Sequence, residues 1–187
     1  MSTRVKLTPF SYVILALVGR NGASAHDLVQ MMREGTLFWV TSESHFYAEP
    51  KRLAKGGYLA ARREPGRTRE RTFYTLTDTG RDALTAWLAK PAAPPRVQHE
   101  ALVKLLAADF SDDRTILTSL SGLRAEIAAG YAMLEPLTER VEELPHRARY
   151  LRLINDYGKR SLDTLSDWLD HVEQELRGQA ELDDTAS

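Results

Sequence analysis

The stretch that decides the fold is Ser44-His-Phe-Tyr-Ala-Glu-Pro-Lys-Arg-Leu-Ala-Lys55, together with residues 56–80 that follow it. It predicts a helix that ends at Gly56-Gly57, because glycine is the commonest residue just past a helix end. Residues 58–63 and 71–76 predict two short strands around an arginine-rich turn at 64–70, and Thr77 is suited to cap a further helix. A helix, a two-stranded hairpin and a second helix in this order are typical of a winged helix.

Charge is distributed unevenly along the chain. The net charge is only −1, but residues 1–89 carry 13 basic and 8 acidic side chains, whereas residues 90–187 carry 12 and 18. Between residues 51 and 71 only two side chains are acidic, and eight are basic: Lys51, Arg52, Lys55, Arg62, Arg63, Arg67, Arg69 and Arg71. A basic half joined to an acidic half indicates that the first half meets a polyanion.

The composition excludes several classes of protein. With 43% hydrophobic and 27% charged residues the chain resembles ordinary soluble domains. It has no cysteine, hence neither disulfides nor thiolate metal ligands. No apolar run approaches the ~18–20 residues of a membrane span, and the start lacks the apolar core of a secretory signal. The five histidines show no metal-ligand spacing and no nucleophile is paired with a base, so we expect a cytoplasmic protein that is not an enzyme and needs no metal, cofactor or membrane.

Two helices are predicted ahead of the decisive stretch. Thr8-Pro9 begins the first, with threonine as cap and proline at the first helical position. Its apolar residues follow the helical period until Asn21-Gly22, which is expected to stop it. The second helix runs from a cap at Ser24 to a stop at Gly35.

The third helix contains a proline. Thr41 or Ser42 caps this helix, and Gly57 stands where it should stop. Pro50 inside a helix removes one backbone donor and costs roughly 3 kcal/mol. The sequence therefore leaves two alternatives: a continuous helix that is kinked at Pro50, or a short turn followed by a helix that begins near Glu49.

A proline-rich segment, Lys90-Pro-Ala-Ala-Pro-Pro-Arg96, indicates a domain boundary. The predicted organisation is a winged helix-turn-helix domain at 1–89, a linker at 90–96, an α-helical dimerisation domain at 97–177 and a flexible acidic tail at 178–187.

The second half predicts long antiparallel helices. Its first helix ends near Phe110, and Ser111 is expected to cap the next one. Apolar residues then repeat in a near-heptad rhythm, typical of a coiled-coil-like seam: Ile116, Leu120, Leu123, Ile127, Tyr131 and Leu134. Pro136 must kink or interrupt that helix, and a last long helix follows Pro145. Because this apolar stripe exceeds what one short helix can cover, we expect a homodimer.

At these residues the chain resembles PadR-like transcriptional regulators, in particular the subgroup with a longer C-terminal helical domain. The resembling segments are Thr8–Leu17, Ser42–Tyr47, Lys51–Leu53 with Gly57, Phe73–Gly80, Trp87-Leu88, Glu100–Leu105 and Tyr157–Leu169. Their order and spacing, over about residues 7–177, make the match specific. The resemblance implies a mainly α fold with a small β-hairpin wing, a homodimer, binding to a palindromic operator in double-stranded DNA, and repression that a small, often aromatic, effector relieves.

In such a fold the third helix enters the major groove, where side chains distinguish all four base pairs. Its first turn and outward face offer Ser42, Ser44, His45, Tyr47 and Lys51 as DNA-binding residues. The alternative is that Tyr47 packs inward and that the two serines only cap the helix.

The turn of the hairpin is the second DNA-binding candidate, through Arg67, Thr68, Arg69 and Arg71. Guanidinium groups suit the geometry of phosphates. Arg62 and Arg63 lie on opposite faces of their strand, so at most one of them is expected to reach DNA.

Four aromatic residues are candidates for an effector site: Tyr12, Phe38, Trp39 and Trp87. Stacked rings in an apolar cleft bind flat ligands, although ordinary core packing is the better explanation for any one of them. The sequence thus predicts a sequence-specific DNA-binding repressor. The alternative function is a winged helix used only for protein–protein contact.

Overall fold

The computed structural model describes residues 5–34, 42–65, 70–95 and 97–185. The chain divides into two compact units, Met1–Pro94 and Pro95–Ser187. The described residues are mostly helical, with one small sheet in the first unit. No helix among them is both long and apolar enough to cross a membrane.

The described residues of the first unit form four helices and three strands. In chain order these are α1 (Pro9–Val18), β1 (Ala23–Ser24), α2 (Ala25–Glu34), α3 (Glu43–Lys55), β2 (Leu59–Glu64), β3 (Arg71–Leu76) and α4 (Asp78–Leu88). The core lies between α1, α2, α3 and the sheet, and its most buried side chains include Ile14, Leu28, Phe46, Leu53 and Tyr74. This confirms the predicted helices and hairpin of a winged helix.

Side-chain caps begin three of these helices. Thr8 and Ser11 form a reciprocal capping box at the start of α1. The Ser24 backbone N–H donates to Asp27 and the Asp27 N–H donates back to Ser24, which gives α2 the same arrangement. Thr77 accepts from the Gly80 backbone N–H at 3.0 Å and so caps α4. Each cap supplies a partner to a backbone donor that the first helical turn leaves unpaired.

Two features of α1 and the sheet differ from the prediction. Helix α1 ends at Val18 rather than at Asn21-Gly22, because Gly19 already takes a positive φ of 51° and caps it. The sheet has three antiparallel strands in the order β1-β3-β2, not two. Strand β1 is only two residues long, too short to produce a recognisable alternation.

Helix α3 is continuous from Glu43 to Lys55, with Pro50 buried inside it. The alternative of a separate helix beginning near Glu49 is therefore wrong. The helix ends as predicted at Gly57, which has φ +78°. The N–H of Gly57 donates to the Ala54 carbonyl, and that of Tyr58 donates to the Leu53 carbonyl, both at 3.0 Å. These two bonds form a Schellman motif, which fixes the direction in which the chain leaves α3.

The second unit is built from α5 (Glu100–Leu106), α6 (Asp113–Glu139) and α7 (Ala148–Thr185), with short 3₁₀ turns at Ala108–Phe110 and Arg140–Glu143. Helices α6 and α7 are antiparallel, as predicted. The Tyr131 hydroxyl donates to Asp163 at 2.7 Å, and Arg124 donates to Glu173 at 2.9 Å. At Gly130 the helices approach so closely that an added Cβ would lie 2.7 Å from the Leu162 side chain.

Three local expectations in this unit differ from the structure. The cap of α6 is Asp112 and not Ser111, since the Asp112 carboxylate accepts from the Thr115 N–H at 2.7 Å. Pro136 lies inside α6 without ending it, so the alternative that this proline interrupts the helix is wrong. Helix α7 also runs to Thr185, through the residues predicted to form a flexible acidic tail. The glycine at the start of that segment costs a helix only about 1 kcal/mol.

Candidate nucleic-acid interface

Helix α3 has one buried and one outward face. Phe46, Pro50 and Leu53 are buried against the core. The opposite face presents Ser44, Tyr47, Ala48, Lys51 and Lys55, all exposed. Tyr47 is 44% exposed, so the alternative that it packs inward is wrong. The spacing of three and four residues places these outward side chains in one row along the helix.

Polar side chains gather at the start of α3. The Ser42 hydroxyl lies 2.8 Å from that of Ser44 and 3.3 Å from Nδ1 of His45. Ser42 is the N-cap residue, but its side chain bonds to neither N–H of the first turn. Ser42 thus occupies the predicted cap position, while its hydroxyl is placed against Ser44 and His45. Hydroxyl and imidazole groups here can donate or accept, and the helix N-terminus favours a negatively charged group nearby.

His45 is placed by aromatic contacts. It stands on the flank of α3, and its ring meets that of Phe10 edge-on with centroids 6.0 Å apart. Phe10 also packs edge-on against Phe46 at 4.9 Å. Helix α1 thus supports the first turn of α3 from behind and leaves the His45 side chain exposed.

Beneath this face lies a polar cluster that the sequence analysis missed. The Arg52 guanidinium donates from Nε and Nη2 to the two carboxylate oxygens of Glu49, at 2.7 and 2.5 Å. It also donates to the Lys6 carbonyl at 3.0 Å and to the Ser11 hydroxyl at 2.9 Å. Ser11, which is fully buried, donates in turn to Glu49 at 2.7 Å. The spacing of Glu49 and Arg52 could have predicted their ion pair, but nothing in the sequence indicates that Ser11 joins it.

This cluster favours the ionised carboxylate. Burial alone raises the pKa of Glu49, but hydrogen bonds from Arg52 and Ser11 outweigh it and hold that pKa below its ordinary value. The same bond to Glu49 raises the pKa of Arg52. Although its side chain is 36% exposed, Arg52 is therefore already paired within the first unit.

The hairpin brings its arginines close to acidic residues. Arg62 lies 2.6 Å and Arg71 3.6 Å from the Glu64 carboxylate, and both guanidinium groups stand over the Phe73 ring, at 5.1 and 5.9 Å. Arg63 pairs separately with Glu70 at 3.3 Å. Exposed pairs of this kind are worth at most about 1 kcal/mol, so each arginine can exchange its carboxylate for a phosphate. The predicted wing residues Arg67, Thr68 and Arg69 lie outside the described residues.

Lys51 and Lys55 differ from these arginines. Across the described parts of the chain, neither lysine forms an ion pair with a carboxylate. Both stand on the outward face of α3. These two lysines can therefore bind a polyanion without first breaking an ion pair.

Two of the four effector candidates lie together. The rings of Tyr12 on α1 and Trp87 on α4 are stacked, with centroids 4.8 Å apart and planes 10° from parallel. Each ring covers one face of the other, and Trp87 remains 41% exposed. Phe38 and Trp39 lie outside the described residues. Across the described part of the sequence, no group of three or more acidic or histidine side chains could hold a metal ion.

The apolar stripe that led us to expect a dimer is not free. Four of its six residues, Ile116, Leu120, Ile127 and Leu134, are buried within the chain. The argument from that stripe was therefore wrong, because α7 already covers it. Large apolar side chains are exposed instead around α5, at Val97, Leu102, Val103, Leu106 and Phe110, and on α7 at Tyr150, Leu153, Ile154 and Tyr157.

Comparison with known families matches both units. Residues 14–86 match the model of the transcriptional regulator PadR-like family, and residues 97–177 match that of the virulence activator alpha C-terminal domain. Over residues 14–86 the chain is therefore similar to PadR-like transcriptional regulators. PadR-like proteins are regulators rather than enzymes, in agreement with the prediction from the sequence.

Two relatives show the extent of the similarity. The probable transcriptional regulator Rv1176c of Mycobacterium tuberculosis is 24% identical over 183 residues, 89% of this chain and 96% of that protein. The negative transcriptional regulator PadR of Bacillus subtilis is 32% identical over 96 residues, 50% of this chain and 53% of that protein.

Several solved structures share the fold of this chain. Bacillus subtilis PadR in complex with operator DNA aligns with a TM-score of 0.66 at 23% identity, over 90% of this chain and 99% of that one. The same protein in complex with p-coumaric acid aligns with a TM-score of 0.57 at 23% identity, over 88% and 98%. The Vibrio cholerae virulence activator AphA gives 0.70 at 23% identity, over 90% and 98%.

Proposed function

We propose that this PadR-like regulator binds double-stranded DNA sequence-specifically, with the outward face of α3 in the major groove. The observation that carries the proposal is the division of α3 into a face anchored in the core and a face of Ser44, Tyr47, Lys51 and Lys55 directed outward. Hydroxyl and imidazole groups at its first turn suit base edges, and the two lysines suit phosphates.

The hairpin turn supplies the second contact. It contacts the DNA backbone or the minor groove beside the site that α3 occupies, through Arg67, Thr68, Arg69 and Arg71. The support is the concentration of arginine in this turn and the long, 3.6 Å pairing of the exposed Arg71 with the half-buried Glu64. The relative Bacillus subtilis PadR, which has the same fold, is known in complex with operator DNA.

The functional unit is a homodimer on a palindromic operator. The apolar side chains exposed around α5 and along the first half of α7 are the surface that a second copy covers. Within each of these two groups most of the side chains are neighbours along one helix, and exposed apolar patches mark protein–protein contact surfaces. Two copies related by a two-fold axis read two half-sites of inverted sequence.

The regulation is repression in the cytoplasm, relieved by a small aromatic effector. The Bacillus subtilis relative is a negative regulator and is known in complex with p-coumaric acid. In this chain the Tyr12–Trp87 stack leaves Trp87 41% exposed to a ligand, and Phe38 and Trp39 are the other candidates.

The proposal is tested by gel shift with genomic fragments at moderate salt, followed by sequencing of the captured DNA. We expect a complex that prefers certain fragments. A chain that gives no sequence-preferring complex contradicts the proposal and favours the alternative, in which the basic hairpin is a surface for an acidic protein.

The wing and α3 make separable contributions. Arg67→Ala with Arg69→Ala should weaken binding similarly on all sequences and flatten the slope of log affinity against log salt by about 0.9 per lost phosphate contact. An unchanged slope contradicts the wing assignment.

Changes at Ser44 or His45 should alter the preferred site, by roughly 1–3 kcal/mol per lost base contact. The same site selected from random DNA by variant and parent would show that these residues do not read bases.

A further inference from the structure

The Glu49–Arg52–Ser11 cluster lies at the point where α3 is least able to hold its own shape. Pro50 has no N–H, so the usual backbone bond to the Phe46 carbonyl does not form. Glu49 and Arg52 flank this gap and join each other by two hydrogen bonds across it. Their side chains therefore bridge the helical turn from which the proline removes one backbone bond.

The same cluster fixes how α3 is rotated. Arg52 also donates to the Lys6 carbonyl ahead of α1 and to Ser11 on α1, and Ser11 donates to Glu49. Ser11 is itself held by the capping box with Thr8, whose backbone N–H donates to the Ser11 hydroxyl at 2.8 Å. A planar guanidinium with four such bonds allows little rotation. Rotation of α3 about its axis would break these bonds and would redirect the row from Ser44 to Lys51.

We propose that Glu49 and Arg52 are positioning residues, which set the orientation of α3 for specific reading of DNA without contacting DNA themselves. This inference rests on the proposed DNA-binding function. The Glu49 carboxylate is 12% exposed and points to the α1 side of the helix, away from the outward row. Arg52 donates its hydrogen bonds to Glu49, to Ser11 and to the Lys6 carbonyl ahead of α1.

A pure charge effect and a positioning role predict opposite changes in operator affinity for Glu49→Gln. Removing a negative charge from a helix that lies in a DNA groove should, by electrostatics alone, strengthen binding to every sequence. Loss of the orienting bonds should instead weaken binding to the operator and leave binding to unrelated DNA unchanged or stronger, because only base reading needs an exact helix placement. The ratio of the two affinities therefore separates a positioning role from a charge effect.

The matched control is Glu43→Gln on the same helix. Glu43 pairs with Arg33 at 2.6 Å, and both side chains are more than half exposed. The substitution removes the same charge from α3 without touching the cluster beneath it. We expect this control to bind the operator as tightly as the parent or more tightly.

The experiment measures dissociation constants of the full-length parent, Glu49→Gln, Arg52→Lys, the double variant and Glu43→Gln. Each is titrated against the captured operator and a scrambled duplex of equal length at one salt concentration. Circular dichroism gives the folded fraction and the melting temperature. We expect Glu49→Gln and Arg52→Lys each to lose about tenfold in operator affinity, equivalent to 1.4 kcal/mol, and to keep their affinity for the scrambled duplex. The double variant should lose no more than either single one, because both remove the same contact.

If Glu49→Gln binds the operator as tightly as the parent does, the inference is overturned. This holds even if the melting temperature falls, because the cluster would then only stabilise the fold. Equal losses on both duplexes overturn it as well. Should Glu49→Gln fail to fold, Arg52→Lys decides, because it keeps the charge and loses only the fork geometry. A parent without any sequence preference shows that the DNA-binding proposal itself has failed, and that result is visible before any variant is made.

Discussion

Gly80 should be intolerant of even the smallest side chain. It lies in the first turn of α4, and a Cβ at this position would stand 2.1 Å from the carbonyl oxygen of Tyr58. That oxygen already accepts from the Thr77 N–H at 3.2 Å and from the Thr77 hydroxyl at 3.0 Å. Gly80→Ala therefore forces α4 away from the backbone that links α3 to the hairpin.

The magnitude follows from two opposing effects. Overpacking of this kind costs typically ~1–3 kcal/mol, and the upper end applies here because a backbone atom must move. Alanine recovers up to ~1 kcal/mol through its higher helix propensity. The first unit should thus lose about 2 kcal/mol in free energy of unfolding, which lowers the urea midpoint by about 1 M at an m value near 2 kcal/mol per M.

The assay is urea unfolding followed by tryptophan fluorescence. The three tryptophans are Trp39, Trp87 and Trp168, so a Trp168→Phe background reports on residues 1–94 alone. Gly122→Ala is the matched control, since a Cβ there meets nothing within 4 Å. Followed by circular dichroism, that change should stabilise the helical unit by ~0.5–1 kcal/mol. A Gly80→Ala variant as stable as the parent would refute the argument from close approach.

Three further predictions concern other parts of the chain. Gly57→Ala should lower the free energy of unfolding by about 1 kcal/mol, because the space around Gly57 is open and only the positive φ is penalised. Gly57→Asn should lower it less, because asparagine adopts a positive φ more readily than alanine. Equal unfolding free energies for the two variants would contradict this prediction. Leu106 and Phe110 are 84% and 89% exposed, and replacing both with glutamate should reduce the mass measured by light scattering from about twice 21.1 kDa to that of a single copy. The control Leu88→Glu should leave the mass unchanged. A parent protein with the mass of a monomer at micromolar concentration argues against the dimer. Because the pKa of Glu49 is lowered in the folded protein, its ionised form stabilises the fold at any pH above the unfolded pKa of about 4.3. This contribution disappears as the pH falls through the folded pKa, so the difference in unfolding free energy between the parent and Glu49→Gln should shrink below about pH 4. A difference that stays constant down to about pH 3 would contradict this prediction.

Features set by neighbouring residues could be predicted from the sequence. The cap at Thr8-Pro9, the stop at Gly57 and the hairpin up to Thr77 each depend on local backbone preferences, and the structure contains all of them. The outward row of α3 follows from helical spacing once the buried residue Phe46 is known. Local rules also erred where two signals compete, as at Ser111 and Asp112, because either side chain can cap a helix.

Features that depend on distant contacts could not be predicted. Strand β1 exists because Ala23 and Ser24 pair with Tyr74 and Phe73, about fifty residues away. Ser11 looks like an ordinary polar residue in an amphipathic helix, yet it is fully buried because Glu49 and Arg52 bind it. The seam of α6 was correctly identified, but the sequence could not show whether α7 or a second copy covers it.

The measurement that tests the central claim most directly is photo-crosslinking from the outward face of α3. A photoreactive amino acid replaces Ala48, which is exposed between Ser44 and Lys51, and the protein is irradiated with its captured operator. The account predicts crosslinks to bases within each half-site, and none when the same group replaces the exposed Thr164 on α7. A folded protein that shifts the operator but crosslinks no better from position 48 than from position 164 would contradict it.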